Sequence, residues 1–191
     1  MVDVCRKLRI FCVAEEMQNQ LQELRISFSP LRILLAANSK IPNFKIMSIE
    51  IRENLKYHLY GFSGIVPNFK FGETGIALSS RMWDIVKKNS IPNKGINIWV
   101  YDDRTRMFCG VELDPRPSNN FGMEERDVHL VKYAWYKHIG PYQLLPESNE
   151  KMKQEMQKLG LKYGPPSLEI YGHHGPDPSK LETELIFPIY S

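Results

Sequence analysis

The chain has 191 residues, of which 42% are hydrophobic and 25% charged, values that are ordinary for a globular protein of one or at most two domains. Its net charge of +3 comes from Lys and Arg scattered among nearly as many Asp and Glu, which argues against direct binding to nucleic acid. Three cysteines at no recognisable spacing favour a cytoplasmic location, and no apolar run reaches the roughly 18 residues of a membrane helix.

The first 46 residues differ in pattern from the rest of the chain. Residues 14–26 are rich in Glu and Gln and are consistent with a short helix, which Ser29-Pro30 and Ile41-Pro42 separate from its surroundings. The segment is too short for a DNA-binding module with a coiled-coil linker. We therefore expect residues 1–46 to be an extension of uncertain order, followed by a domain over residues 47–191.

The first part of that domain, residues 47–114, alternates between strand and helix patterns. An extended stretch over residues 48–61 precedes a helix over residues 74–88, in which Leu78, Met82 and Ile85 share one face. Residues 96–102 then alternate as a strand, with Trp99 and Tyr101 on one side. A polar turn over residues 102–105 leads to a last strand over residues 107–113.

Residues 124–191 repeat this order after a Pro-rich linker over residues 115–120. An extended run over residues 127–138 precedes a helix that begins at Pro146 and is capped by Gly160, and two strands follow over residues 168–172 and 184–190. The units overlay at a shift of 70 residues, which places Tyr101 on Tyr171 and Met82 on Met152. We therefore predict an α+β fold, a pseudo-twofold pair of β-α-β-β modules with a central ligand cleft.

One face of the repeated middle strand carries the candidate site. We expect Leu168 and Ile170 to face the helix, so that Glu169 points toward the twin module, where Trp99 and Tyr101 stand at the corresponding positions. A carboxylate among aromatic rings suits an aromatic or cationic ligand. The alternatives are that Glu169 is a solvated strand residue and that the aromatic side chains are core between the modules.

The second module carries a spaced set of motifs that resembles the GyrI-like family, the effector-binding domains of AraC-type and MerR-type multidrug-sensing regulators. The matching segments are YKHIGPY at 136–142, GL at 160–161, YGPP at 163–166, LEIY at 168–171 and TELIFPI at 183–189. The resemblance implies tandem β-α-β-β modules that bind amphipathic or cationic aromatic small molecules, for sensing or sequestration. It implies Glu169 as the carboxylate of an aromatic pocket and Glu184 as a second acid.

The predicted ligand-binding residues follow from this combination of pattern and resemblance, and they are Glu169, Tyr171, Trp99, Tyr101, Trp135 and Glu184. Only one of the neighbours Trp135 and Tyr136 can face the cleft. No cofactor is expected, and His173-His174 lacks a partner at metal-ligand spacing, so no metal is expected either.

Two other functions stay open. Some stand-alone members of the family hydrolyse cyclopropane-bearing genotoxins, and here Glu169 and Glu184 would share the general-base role while Tyr171 donates a hydrogen bond. The second alternative is a protein-interaction module, with gyrase or a transcription regulator as the partner. Ligand binding without turnover is the function that the sequence favours.

Overall fold

The computed structural model describes residues 48–172 and 175–190. The predicted extension over residues 1–46, with its helical pattern and with Cys5 and Cys12, lies outside the described residues.

The described chain consists of two modules with the same order of elements. The first contains β1 (Glu50–Ile65), α1 (Phe71–Lys88), β2 (Asn97–Tyr101) and β3 (Arg106–Val111). The second contains β4 (Glu124–Ile139), α2 (Leu145–Lys158), a two-residue strand β5 (Lys162–Tyr163), β6 (Ser167–Tyr171) and β7 (Glu182–Tyr190). The predicted pair of β-α-β-β modules is confirmed, and β1 and β4 are each 16 residues long, longer than their sequence patterns indicate.

The strands form one antiparallel sheet rather than two separate ones. Its order is β4-β1-β3-β2-β6-β7-β5, and a further pairing of β4 with β7 closes the first six strands into a ring. The modules meet at two edges of this ring, where β1 pairs with β4 and β2 pairs with β6. Closure leaves these six strands without free edges.

The interior of the ring is the main hydrophobic core, and this corrects the predicted orientation of the strands. Ile98, Val100, Leu168 and Ile170 pack inside the ring against side chains of the other strands, such as Ile186, and contact neither helix. Because the modules join edge to edge into one curved sheet, their most apolar faces meet in its interior. The helices therefore cover the outer face, which also carries Trp99 and Glu169.

Each helix buries one apolar stripe against the outside of the ring. Met82 and Val86 of α1 pack with Phe62 and Val111, while α2 packs through Met152 and Met156 against Ala134, Leu185 and Phe187. Gly160 follows α2 with a φ of +68°, the conformation that its predicted capping role requires. In the part of the chain described by the structure, no helix is long and apolar enough to span a membrane.

The register between β2 and β6 locates the pseudo-twofold axis. Ile98 pairs with Ile170, Trp99 with Glu169 and Val100 with Leu168. Trp99 and Glu169 are also equivalent positions of the two modules, 70 residues apart. Two residues that are both equivalent and directly paired must lie on either side of the axis. The axis therefore passes between the indole of one module and the carboxylate of the other.

Candidate functional site

A cleft of about 1170 Å³ lies on the outer face of the sheet, over β2 and β6 and between the two helices. Both modules contribute to it, because each helix forms one wall and the paired central strands form the floor. Aromatic side chains make up much of its lining, namely Phe71, Trp83, Trp99, Tyr101, Tyr142, Tyr171 and Phe187. The cleft is central, as predicted, although it opens on the helix side of the sheet.

Glu169 lies on the floor of this cleft with only 7% of its surface exposed. The phenol groups of Tyr101 and Tyr171 both donate to its Oε2, each at 2.5 Å. The side-chain amide of Asn149, on α2, donates to Oε1 at 2.7 Å. Three donors thus replace much of the water that this carboxylate loses on burial.

All three donors to Glu169 are neutral groups. Among residues 48–172 and 175–190, no Lys, Arg or His forms an ion pair with its carboxylate. The bases that line the cleft are Lys87, Arg104 and Lys153, and the last of these pairs with Glu150 at 3.6 Å. A buried carboxylate that is hydrogen-bonded but carries no counter-charge attracts a cation that can enter the cleft.

The two phenols beside Glu169 are held in their neutral, donating form. Burial, and next the negative charge of Glu169, raise the pKa of both Tyr101 and Tyr171 well above the ordinary value of 10.0. Both groups therefore stay protonated throughout the physiological range. Their hydroxyl groups supply a fixed pair of donors to Oε2.

Trp99 forms the part of the floor that belongs to the first module. Its indole Nε1 donates to Ser79 Oγ on α1 at 2.9 Å, and its ring packs against that of Tyr171 with 4.8 Å between centroids. Tyr142 in turn meets Tyr171 edge to face at 5.4 Å. The rings therefore form a continuous aromatic surface around the carboxylate.

Trp135 and Glu184, two of the residues predicted to line the cleft, lie elsewhere. Glu184 is paired with Ile170 across β6 and β7, so it faces the interior side of the ring, whereas Glu169 is paired with Leu185 and faces outward. The indole of Trp135 donates to Glu184 Oε2 at 2.5 Å on that interior side. Glu184 and Leu185 are neighbours along β7 and point to opposite faces, and Leu185 shares the face of Glu169. The predicted sharing of a general-base role between Glu169 and Glu184 is therefore wrong, because the two carboxyl groups lie on opposite faces of the sheet.

Several residues of the cleft were not predicted from the sequence. Ser79 and Asn149 stand at equivalent helix positions, 70 residues apart, and each holds the central strand residue of its own module. The shift that aligns Trp99 with Glu169 also aligns these two polar residues, which is the signal that would have found them. Trp83, Phe71 and Tyr142 also line the cleft, and no pattern in the sequence distinguishes them from packing residues.

Cys109 does not belong to the lining of the cleft. Cys109 is fully buried in one cluster with Trp99, and burial raises the pKa of its thiol to about 12, so that the thiol is unreactive at neutral pH. Within the described ranges, His, Cys, Asp and Glu form no group of three or more that would suit a metal ion. The pair His173-His174 lies outside the described residues.

Comparisons with known proteins agree with this architecture. The family model of the GyrI-like small molecule binding domain matches residues 47–190. A comparison with curated protein sequences finds no significant match.

Several solved structures share the fold. The C-terminal domain of EcmrR has a TM-score of 0.62 and 18% identity, over 76% of this chain and 99% of that domain. The cryo-EM structure of an EcmrR–DNA complex gives a TM-score of 0.62 at 17% identity, over 100% of this chain and 69% of that one. SAV2435 bound to tetraphenylphosphonium gives 0.54 at 14% identity, over 76% of this chain and 95% of the other.

Proposed function

This chain belongs to the family of GyrI-like small molecule binding domains, and we propose that its cleft binds amphipathic aromatic cations, with the positive charge placed against Glu169. The observation that carries the proposal is the buried, hydrogen-bonded carboxylate without a counter-charge on the floor of an aromatic cleft. A cation in that position would supply the missing charge, and the surrounding rings would attract it through their faces.

The donors around Glu169 narrow the class of cation. A carboxylate offers about four lone-pair positions, and two phenols and one amide already occupy three of them. An ammonium or guanidinium group carries three or five N–H donors and would leave most of them unpaired beside this carboxylate. A cation without N–H donors loses no hydrogen bonds on entry. We therefore propose that quaternary or phosphonium-type cations bind more tightly than amines or guanidines of similar size.

The shape of the cleft supports an aromatic ligand. Its volume of about 1170 Å³ exceeds what a simple quaternary ammonium ion fills, so contact with the lining requires a ligand of drug-like size. The rings of Trp99 and Tyr171 pack against each other and line the cleft together with the carboxylate, so apolar groups around the charge find apolar partners. SAV2435, with the same fold, has been solved bound to tetraphenylphosphonium, which makes that cation a suitable first probe.

The test compares two probes of the same shape and opposite charge. Tetraphenylphosphonium and tetraphenylborate each present four phenyl rings, so a difference in affinity reports on charge alone. Calorimetry on the full chain should give a micromolar dissociation constant for the phosphonium and no measurable binding of the borate. Glu169→Gln should weaken phosphonium binding by about 10–100-fold, since two unit charges about 6–10 Å apart attract each other by ~1.7–2.8 kcal/mol at an effective dielectric constant of about 20.

The matched control is Glu184→Gln, which removes the same charge from the opposite face of the sheet and should change the affinity by less than about threefold. Equal binding of both probes, or equal losses in the two variants, would contradict the proposal. Equal binding of both probes would mean that affinity does not depend on the charge of the ligand, and equal losses in the two variants would mean that the cation responds to negative charge on both faces of the sheet rather than to Glu169 in particular.

A further inference from the structure

The first wall of the cleft depends on a close approach between α1 and Trp99. Gly75, which is buried in the first half of α1, faces the outer edge of the indole. A Cβ atom at this position would lie 2.4 Å from Cη2 of Trp99 and 2.6 Å from both Cζ2 and Cζ3. Carbon atoms in contact normally lie about 3.5–4.0 Å apart. The indole can therefore lie against the helix only because residue 75 has no side chain.

The indole is fixed on its other sides. One turn further along α1, Ser79 Oγ accepts the indole N–H at 2.9 Å. The buried side chains of Met107 and Cys109 pack in the same cluster as Trp99, whose own surface is 8% exposed. Tyr171 lies 4.8 Å away between ring centroids, on the side of the second module. Displacement away from α1 would therefore move the indole toward Tyr171 and into the cleft.

The second module carries side chains of the opposite size at the equivalent positions of its helix and its central strand. At the position equivalent to Gly75, α2 carries the buried Leu145, and at the position equivalent to Trp99, β6 carries the shorter Glu169. A small helix residue and a large strand residue thus occupy these positions in one module, and a large helix residue and a smaller strand residue occupy them in the other. The volume left between the two walls depends on both combinations.

From this geometry we propose that Gly75 is a specificity-determining residue, which opens the cleft to bulky, non-planar aromatic cations by allowing Trp99 to lie back against α1. The inference rests on the proposed function and adds a size limit to it. A side chain at position 75 would move the indole into the cleft, and small cations would still reach Glu169 whereas four-ring cations would not.

The test uses two cations of different bulk, tetraphenylphosphonium and phenyltrimethylammonium, measured by calorimetry on the full chain. Gly75→Ala should weaken tetraphenylphosphonium binding at least 10-fold and change phenyltrimethylammonium binding by less than about threefold. Alanine is a stronger helix former than glycine, so the substitution does not weaken α1 by itself. The control is Ala77→Gly, the reverse exchange at an exposed position of α1 outside the lining of the cleft; it should leave both affinities unchanged.

A second variant separates displacement of the indole from a general disturbance of the helix. Trp99→Phe removes the outer indole atoms that a Cβ at residue 75 would contact. In the Trp99→Phe background, Gly75→Ala should cost less than threefold for tetraphenylphosphonium. An equal loss for both cations in Gly75→Ala, no loss for either, or the same loss with and without Trp99 would overturn the inference. Failure of the wild-type protein to bind either cation would instead overturn the proposed function on which it rests.

Discussion

The two modules share a backbone plan and differ most where they meet at the pseudo-twofold axis. One module places Trp99 there and the other places Glu169, and each side chain is held by a polar residue at the same position of its own helix, Ser79 or Asn149. The cleft therefore has one side built around an aromatic ring and another built around a charge. A symmetric pair would provide either two rings or two repelling carboxylates, whereas the asymmetric pair places one carboxylate beside one ring.

A second difference lies behind the cleft, where each helix meets the sheet. In the first module Gly64 and Met107 are paired across β1 and β3, and a Cβ at Gly64 would lie against Leu78, so the contact is apolar. At the corresponding places of the second module, β4 carries His138 where β1 carries Gly64, β7 carries Thr183 where β3 carries Met107, and α2 carries Ser148 where α1 carries Leu78. All three of these residues are buried and polar. His138 Nδ1 and Ser148 Oγ are 2.8 Å apart.

The two modules share their core residues and differ in the polar residues at the contacts between helix and sheet. The residues inside the ring and the apolar stripes of the helices are alike in type, because both modules close the same core. Polar groups differ between the modules at the helix–sheet contacts, where Glu169 and His138 of the second module correspond to Trp99 and Gly64 of the first. Substitutions at equivalent positions of the two modules test this division.

The largest effects are expected where the modules are alike. Met82 and Met152 are equivalent, and both are completely buried between helix and sheet. Met82→Ala and Met152→Ala should each lower the free energy of unfolding by about 2–5 kcal/mol, because each leaves a cavity in a closed core. Urea denaturation followed by circular dichroism and by tryptophan fluorescence should give one coincident transition in both variants, since the ring joins the modules.

The control for this pair is Gln154→Ala, an exposed position on α2, which should change the free energy by less than about 0.5 kcal/mol. Two separate transitions in either variant would show that the modules unfold independently. The ring would then not act as a single cooperative unit.

The next effect distinguishes the two helix-to-strand hydrogen bonds at the axis. Asn149→Ala leaves an oxygen of a buried carboxylate without its donor, whereas Ser79→Ala leaves two neutral donors, the indole N–H of Trp99 and the amide of Asn97, without their acceptor. Losses of about 2–3 and about 1–2 kcal/mol in unfolding free energy are expected, because unpaired charged groups cost more than unpaired neutral ones. In a Glu169→Gln background the larger loss should fall toward the smaller one. If it does not, the charge of Glu169 is not what makes the Asn149 bond stronger.

The sequence was sufficient to predict the order of elements, the repeat and the central position of Glu169, Trp99, Tyr101 and Tyr171. Periodicity indicates which strand residues share a face, but it does not say which face the helix covers. The orientation was predicted wrongly because Leu168 and Ile170 were expected to pack on the helix rather than inside a closed ring. Trp135 and Glu184 were placed in the cleft for a related reason, since the register of β7 against β6 arises only from the pairing of distant strands.

Alkaline pH should affect the two modules alike through their equivalent tyrosines. The pKa of Tyr101 and of Tyr171 is raised in the folded protein, by burial and then by the charge of Glu169. Below pH ~10 both folded and unfolded chains hold these protons, so the stability is complete. Above it the unfolded chain releases them first, and each phenol should lower the free energy of unfolding by up to about 1.4 kcal/mol per pH unit.

Urea denaturation between about pH 9 and pH 11.5 measures this slope. Tyr101→Phe and Tyr171→Phe should each flatten it by a similar amount. Glu169→Gln should flatten it less than both substitutions together, because burial of the phenols remains. Tyr57 and Cys109, whose pKa values are each raised to about 12, also contribute to the slope. Both remain in the two Phe variants, whereas Glu169→Gln also removes a charge that helps to raise the pKa of Cys109, so the two Phe variants are the ones that report on the phenols alone. An unchanged slope in either Phe variant would mean that its phenol ionises in the folded protein as readily as in the unfolded chain.

The smallest expected change in the free energy of unfolding concerns the buried polar side chains of His138, Ser148 and Thr183 behind the cleft, and the sign of that change is what the measurement tests. Thr183 is completely buried, and its hydroxyl has no hydrogen-bond partner among the described residues. Thr183→Val replaces that hydroxyl with a methyl group of similar shape and should raise the free energy of unfolding by about 1 kcal/mol. Ser148→Ala, in the same cluster, removes the partner of His138 and should lower it by about 1 kcal/mol. If Thr183→Val destabilises the protein as well, the hydroxyl of Thr183 forms a hydrogen bond in solution. Its cross-strand neighbour His138 has an Nε2 atom that is also buried and without a partner among the described residues, so a water molecule shared with that atom would supply the bond.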